Sequence, residues 1–198
     1  MTTPKLDDIK KLRELTSAGM MDAKAALESS EGDFEKATKL LMEKGAQLAE
    51  SKADRSALQG IIVSYIHPGD RIGVLLELNC ETDFVARNED FRKLAHNLAL
   101  QVAGMHPIYI APEDVPATVI EKEQEVYAAQ AQDKAKATAE KAIQGKLADF
   151  YASVCLVKQP FVLNQELTVE NIIAETVGIL KENIRVARFV RFEVGDRS

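Results

Sequence analysis

Apolar residues in the first part of the chain recur at the spacing of short amphipathic helices. The first helix carries its apolar side chains three positions apart, at Ile9, Leu12 and Leu15. Two further segments of this kind follow, and Gly45 predicts the end of the third helix. We therefore predict a three-helix domain over residues 1–45. Residues 46–55 are polar and rich in alanine, which predicts a linker with some helical tendency.

Beyond residue 55 the pattern changes to that of strands. Residues 61–66 and 71–78 are two apolar runs, separated by His67-Pro68-Gly69-Asp70. Proline followed by glycine fits the central positions of a type II turn, so these runs predict a β-hairpin. The last run, Ile184 to Val194, alternates apolar and charged residues and predicts a third strand beside the hairpin.

The remaining segments of residues 56–198 predict helices. One begins at Asn88 and has its apolar residues on one face: Phe91, Leu94, Ala95, Leu98 and Val102. Residues 118–141 have few large apolar side chains, so we expect an exposed helix within a projecting region, residues 116–146. Gln144-Gly145 predicts a break before the next helix. The predicted fold class is α+β: a core domain over residues 56–198, with a small antiparallel sheet covered by helices.

Composition and charge narrow the function classes. The net charge is −6 and the pI about 5.2, which argues against direct binding of nucleic acid because phosphate contacts need a basic surface. No run approaches the roughly 18 apolar residues that span a bilayer. No secretory signal is visible, so we predict a cytoplasmic protein that does not bind membranes. Cys80 and Cys155 lack metal-ligand spacing and are expected to be reduced thiols.

The candidate chemistry lies between the second strand and the helix that begins at Asn88. There Asp83 precedes a large aromatic side chain, Phe84, in a connection held by rigid elements on both sides. Such connections often carry contact residues. Phe84 could instead turn inward as part of the core, with Asp83 helping to start the helix. The residues alone leave both interpretations open.

Parts of the sequence also allow two other functions to be considered. A metal-dependent hydrolase would have to use the scattered histidines together with Glu81 and Asp83: His67, His96 and His106. On its helix, His96 is expected to be a partly buried structural residue. No glycine-rich phosphate loop and no Ser-His-Asp order is present, so nothing predicts a catalytic residue, a bound metal or a cofactor. An adaptor that binds peptides or ubiquitin-like proteins through residues 1–45 would leave the Asp83-Phe84 connection without a use.

Three collinear motifs resemble the elongation factor Ts family. Residues 79–88 read NCETDFVARN, residues 12–24 read LRELTSAGMMDAK and residues 150–161 read FYASVCLVKQPF. Together they span most of the chain, in the short form that has room for a single core repeat. The resemblance implies that the N-terminal helices form a ubiquitin-associated-like domain. It also implies nucleotide exchange on the GTPase elongation factor Tu, without covalent or metal chemistry of the factor's own.

The resemblance further implies roles for particular residues. The segment that enters the partner's Mg²⁺ site and dislodges the ion would be Thr82, Asp83, Phe84 and Val85. The N-terminal helices would bind the partner's nucleotide domain through Arg13, Met20, Met21 and Lys24. Of the two methionines, at least one is expected to belong to the core. Because a single-repeat form presents a small surface, the resemblance leaves a homodimer open.

Overall fold

A computed structural model describes residues 4–16, 18–130 and 136–196. Ser17 and residues 1–3, within the predicted N-terminal domain, and residues 131–135, within the predicted helix 118–141, lie outside this description. The helices are α1 Leu6–Thr16, α2 Met20–Ser29, α3 Phe34–Lys52, α4 Asp83–Ala86, α5 Glu89–Met105, α6 Ala117–Gln130, α7 Lys136–Val154 and α8 Val169–Leu180. The strands are β1 Gln59–Ile66, β2 Ile72–Cys80, β3 Pro160–Phe161, β4 Asn164–Thr168 and β5 Arg185–Glu193, and short 3-10 helices cover Pro112–Asp114 and Leu156–Lys158.

The three predicted N-terminal helices are present and enclose a small core of buried side chains. Its members are Ile9, Leu12, Ala23, Ala26, Leu27 and Ala37. The predicted end of the third helix is wrong, because α3 continues through Gly45 to Lys52. Gly45 is buried inside the helix, where its missing side chain permits close packing rather than termination. Most of the predicted linker is therefore helical.

The predicted sheet is confirmed, with strand order β1-β2-β5. On β2, Val74, Leu76 and Leu78 are buried and Leu75 between them is exposed, so one face of the sheet forms part of the core. The predicted buried face of α5 is confirmed at all five of its positions: Phe91, Leu94, Ala95, Leu98 and Val102. The α+β class is therefore confirmed, whereas the likeness of α1–α3 to a ubiquitin-associated domain stays a prediction.

The region after α5 differs from the prediction in two places. The helix α6 has no buried residue, as its composition predicted, but α7 runs unbroken through Gln144-Gly145. A helix tolerates glycine at a modest cost, so the pair did not end it. The small sheet of β3 and β4 was not predicted. Beside it the buried Gln101 side chain donates to Gln159 at 3.1 Å and accepts from the Val162 N–H at 2.8 Å.

The described residues group into two compact units. One lies within Met1–Val63, Leu76–His96 and Asn171–Ala187, and the other within Ser64–Leu75, Asn97–Glu170 and Arg188–Ser198. The first unit contains α1–α3 and α4, so it holds every residue that the sequence nominated for partner contact. Whether residues 1–45 fold independently of 56–198 stays a prediction. No helix of the described residues is long and apolar enough to cross a membrane.

Candidate functional site: an anchored helical turn that exposes Phe84

The segment between β2 and α5 forms a single helical turn, α4. Thr82 precedes it in extended conformation, and its hydroxyl oxygen accepts a hydrogen bond from the Val85 N–H at 3.4 Å. This is the N-cap arrangement that satisfies a free amide at the start of a helix. Asn88 then begins α5 by accepting from the Asp90 N–H at 2.8 Å. The Thr82 cap thus precedes α4, and the Asn88 cap that begins α5 follows it.

Phe84 points into solvent from this turn. Its side chain is 80% exposed, the highest value among the large apolar residues described. The interpretation of Phe84 as a core residue is therefore wrong. Ala86 is buried and Val85 is half-buried, so these neighbours hold the turn against the body of the protein while Phe84 remains free.

Asp83 forms an ion pair along the turn. Its carboxylate lies 2.8 Å from the Arg87 guanidinium, and both side chains are largely exposed. An exposed pair of this kind contributes little stability, so its main effect is to restrain the Asp83 and Arg87 side chains near Phe84. The structure thus presents an aromatic ring beside a charged pair, on a turn whose backbone is fixed.

The segment after α8 anchors the start of the turn. The Glu182 carboxylate accepts hydrogen bonds from the Glu81 N–H at 3.1 Å, the Thr82 N–H at 3.0 Å and the Thr82 hydroxyl at 2.6 Å. The Asn183 N–H in turn donates to the Glu81 carboxylate at 2.7 Å. Glu182 and Asn183 were not predictable from the motif, because they lie about 100 positions away from it and carry no local signal for it.

Cys80 closes β2 as a buried thiol. Its Sγ donates to the Thr82 carbonyl oxygen at 3.1 Å. Burial, with the nearby negative charge of Glu182, raises the pKa of the Cys80 thiol to about 11. Burial also raises the pKa of the Cys155 thiol to about 11. Thiols with such a pKa are almost wholly protonated near neutral pH and are poor nucleophiles.

The second group of nominated residues lies at the start of α2. Met20 and Met21 are both exposed, the latter by 74%, so the expectation that one of them belongs to the core is wrong. Arg13 on α1 is exposed, and Lys24 is half-buried with its Nζ 3.7 Å from the Glu28 carboxylate. The structure therefore leaves all four of these side chains at the surface of the first unit.

Asp22 connects this end of α2 to α3 and to the residue that follows α8. Its carboxylate lies 2.6 Å from Lys44 on α3 and 3.5 Å from Lys181 just after α8. The hydrogen bond from Lys44, more than any other cause, lowers the pKa of Asp22 below its usual value. Met20 and Met21 therefore lie next to an ionised carboxylate that holds the start of α2 in place.

The histidines do not assemble into a metal centre. His96 is exposed on α5, contrary to the expectation that it is partly buried, and the Tyr65 hydroxyl lies 3.2 Å from His67 Nδ1. Within residues 4–16, 18–130 and 136–196, no three His, Cys, Asp or Glu side chains lie together in a way that could hold a metal ion.

Comparison with known proteins agrees with these features. The sequence model of the family described as Elongation factor TS matches residues 9–196. Elongation factor Ts of Thermotoga neapolitana is 54% identical over 191 residues, which cover 96% of this chain and 97% of the relative. The elongation factor Ts proteins of Thermodesulfovibrio yellowstonii and Carboxydothermus hydrogenoformans are 53% and 48% identical, over 94% and 95% of this chain and 94% and 88% of their own lengths.

All of these matches are translation elongation factors, and this is the class of protein to which they point. The chain belongs to the elongation factor Ts family, which consists of nucleotide-exchange factors. The resemblance seen in the three motifs is therefore confirmed.

Proposed function

We propose that this protein is the guanine-nucleotide exchange factor of elongation factor Tu in protein synthesis. It binds the Tu–GDP complex, dislodges Mg²⁺ and promotes the release of GDP so that GTP binds in its place. The observation that carries this proposal is the exposed Phe84 side chain on a turn whose backbone is anchored at both ends. An exposed aromatic on a rigid support is suited to act on a partner.

The chemistry of the partner explains why such a side chain is effective. In a translational GTPase, Mg²⁺ bridges the protein and the nucleotide phosphates and neutralises their charge. Displacing the ion leaves the phosphate charges uncompensated and weakens nucleotide binding. By thermodynamic linkage, the exchange factor and GDP lower each other's affinity for the GTPase by the same factor. No covalent step is required of this chain, and it needs no cofactor or metal of its own.

Within the loop the residues have different tasks. Phe84 acts as an apolar wedge that shifts a helix of the partner, and Asp83, held by Arg87, contacts the displaced region. Thr82 caps the turn and Val85 packs below it, so these two hold Phe84 at a fixed height above the surface. The division follows from the contacts of each side chain, because the Thr82 hydroxyl is bonded to Glu182 and to the Val85 N–H, whereas Phe84 extends into solvent.

The surface around the start of α2 holds the partner's nucleotide domain. Met20 and Met21 supply flexible apolar contacts, and Arg13 and Lys24 supply positive charge. This surface contributes affinity, whereas the Phe84 turn contributes the exchange step. We place the protein in the cytoplasm with its partner, and assign it no direct contact with nucleic acid or membrane.

The exposed face of the sheet favours a homodimer. Exposed apolar side chains on β1, β2 and β5 form what we call the open sheet face: Ile66, Leu75, Val190 and Phe192, exposed by 59%, 48%, 40% and 69%. Apolar patches of this kind on soluble proteins mark interaction sites, and we assign this one to a second copy of the chain. Sedimentation should show a dimer that Phe192→Glu converts to a monomer. A monomeric protein at micromolar concentration would contradict the assignment.

The exchange function is tested with purified elongation factor Tu loaded with fluorescent GDP. Adding this protein with excess GTP should accelerate GDP release far above the spontaneous rate, and added Mg²⁺ should reduce the effect. An unchanged release rate at saturating protein would refute the proposal. An adaptor without exchange activity would bind elongation factor Tu and leave the release rate at its spontaneous value.

A further inference from the structure

The end of α8 is built to reach the Phe84 turn. Lys181, directly after the helix, adopts left-handed backbone geometry with φ 58°, and its N–H donates to the Val177 carbonyl oxygen at 2.8 Å. This backbone conformation is unfavourable for residues other than glycine, asparagine and aspartate. It persists only where the surrounding structure enforces it. The turn directs the next two residues, Glu182 and Asn183, to the end of β2.

Asn183 secures the base of this connection. Its side-chain amide donates to the carbonyl oxygens of Ala53 at 3.1 Å and Arg55 at 2.7 Å, just beyond α3. Its own N–H donates to Glu81, as described above. Asn183 is buried, so these bonds are shielded from water. Glu182 therefore projects from a backbone that is fixed on both sides.

Glu182 controls the geometry of the cap of α4. The Thr82 hydroxyl donates its proton to Glu182 and uses its oxygen to accept from Val85. The carboxylate thus selects the rotamer in which the Thr82 oxygen faces the helical turn. A single turn of four residues does not hold its shape alone, because helix nucleation is unfavourable. The orientation of Phe84 consequently depends on bonds from outside the turn.

We propose that Glu182 is a positioning residue for nucleotide exchange: its carboxylate holds Thr82 and thereby preorganises the turn that presents Phe84 to the GTPase. The inference rests on the exchange function proposed above. Hydrogen bonds to an ionised acceptor are stronger than those between neutral groups, and three of them converge on this one carboxylate. Without them the turn samples other conformations, and the fraction competent for exchange falls.

The test measures GDP release from elongation factor Tu at saturating concentrations of the full-length protein. Glu182→Ala should slow the maximal release about tenfold, as expected if the competent fraction of the turn falls to about one tenth. Glu182→Gln, which keeps the size and one acceptor oxygen, should show a smaller loss. The matched control is Glu125→Ala, which removes a carboxylate from the exposed face of α6 and should leave the rate unchanged.

Two further readouts separate positioning from a general loss of stability. Amide hydrogen exchange at Glu81 and Thr82 should accelerate in Glu182→Ala while the buried amides of α5 keep their protection. The double variant Phe84→Ala/Glu182→Ala should be no slower than Phe84→Ala alone, because Glu182 acts through that side chain. If Glu182→Ala failed to fold, the same cycle would be run with Glu182→Gln.

The outcomes distinguish the two proposals. If Phe84→Ala slows release but Glu182→Ala does not, or if the two effects multiply, the positioning role is refuted and the exchange function stands. If neither variant slows release, the Phe84 mechanism and the positioning role fall together. A uniform loss of amide protection throughout Glu182→Ala would also overturn the proposal, since it would assign Glu182 to global stability.

Discussion

Gly45 of α3 lies so close to Ala174 of α8 that a β-carbon at position 45 would stand 3.0 Å from the Ala174 carbonyl oxygen. From the other side, a β-carbon at Gly178 would stand 3.4 Å from the Cα atom of Gly45. Two helices pack at this distance only where side chains are absent or very small. The glycine therefore belongs to a helix contact that joins α3, which begins in the N-terminal segment, to α8.

The first prediction compares one substitution at two glycines. Gly45→Ala should lower the free energy of unfolding by about 1 kcal/mol, because a backbone carbonyl oxygen has little room to move. Gly145→Ala, in the middle of α7 where a β-carbon meets nothing within 4 Å, should instead raise it by up to ~1 kcal/mol through helix propensity. Urea titration of both variants checks the opposite signs. Stabilisation by both would show that α3 and α8 separate easily.

A second prediction concerns the N-terminal domain. Deleting residues 1–45 should weaken binding to elongation factor Tu, because Arg13, Met20, Met21 and Lys24 are lost. The remaining core should still unfold cooperatively, but at a lower temperature, because it loses the Gly45–Ala174 contact. Calorimetry and a binding titration test the two parts separately. Loss of the thermal transition would show that residues 1–45 and 56–198 fold only together.

A third prediction uses the anchor at Asp22. Because its pKa is lowered in the folded protein, its stabilising contribution is complete above the ordinary value of 3.8 and is lost as the pH falls through the folded pKa. Asp22→Asn should therefore cost roughly 0.5–1 kcal/mol at pH 7, typical of a surface pair, and a smaller amount at a pH below 3.8. Denaturant titrations at both pH values measure the difference. The exposed control Asp54→Asn should be near neutral throughout, and an Asp22→Asn cost that did not depend on pH would contradict the assignment.

The cysteines provide a fourth prediction. Cys80 and Cys155 are fully buried and have pKa values of about 11, so an aromatic disulfide reagent at pH 8 should label both slowly in the native protein. In guanidinium chloride both should react at once, which provides the internal control. Rapid native labelling of Cys155 would mean that the surroundings of this thiol open readily.

The local sequence patterns predicted those structural features that depend on neighbouring residues in the chain. The buried face of α5 and the strands of the main sheet follow from periodicities of 3.6 and 2 residues, and the structure has them at the predicted places. The exposure of Phe84 remained undecided, since its neighbours allow both directions and only the packing of Val85 and Ala86 selects one.

Features that depend on distant parts of the chain were not predictable from local patterns. A glycine at position 45 is compatible both with the end of a helix and with the close packing of a second helix. The residue it packs against, Ala174, is far away in sequence. No local sequence signal distinguishes Glu182, although its carboxylate supports the candidate site. The sequence motif thus nominated candidate contact residues, while the residues that hold their backbone in place became visible only in the structure.

The most direct test of the exchange mechanism is GDP release stimulated by Phe84→Ala at a saturating concentration. Because Phe84 is exposed, the substitution should change the melting temperature little, and Val126→Ala on α6 should serve as a neutral apolar control. An interface anchor of this kind is typically worth ~2 kcal/mol or more, so stimulated release should slow by roughly thirtyfold. Release at the wild-type rate by fully folded Phe84→Ala protein would contradict the wedge mechanism.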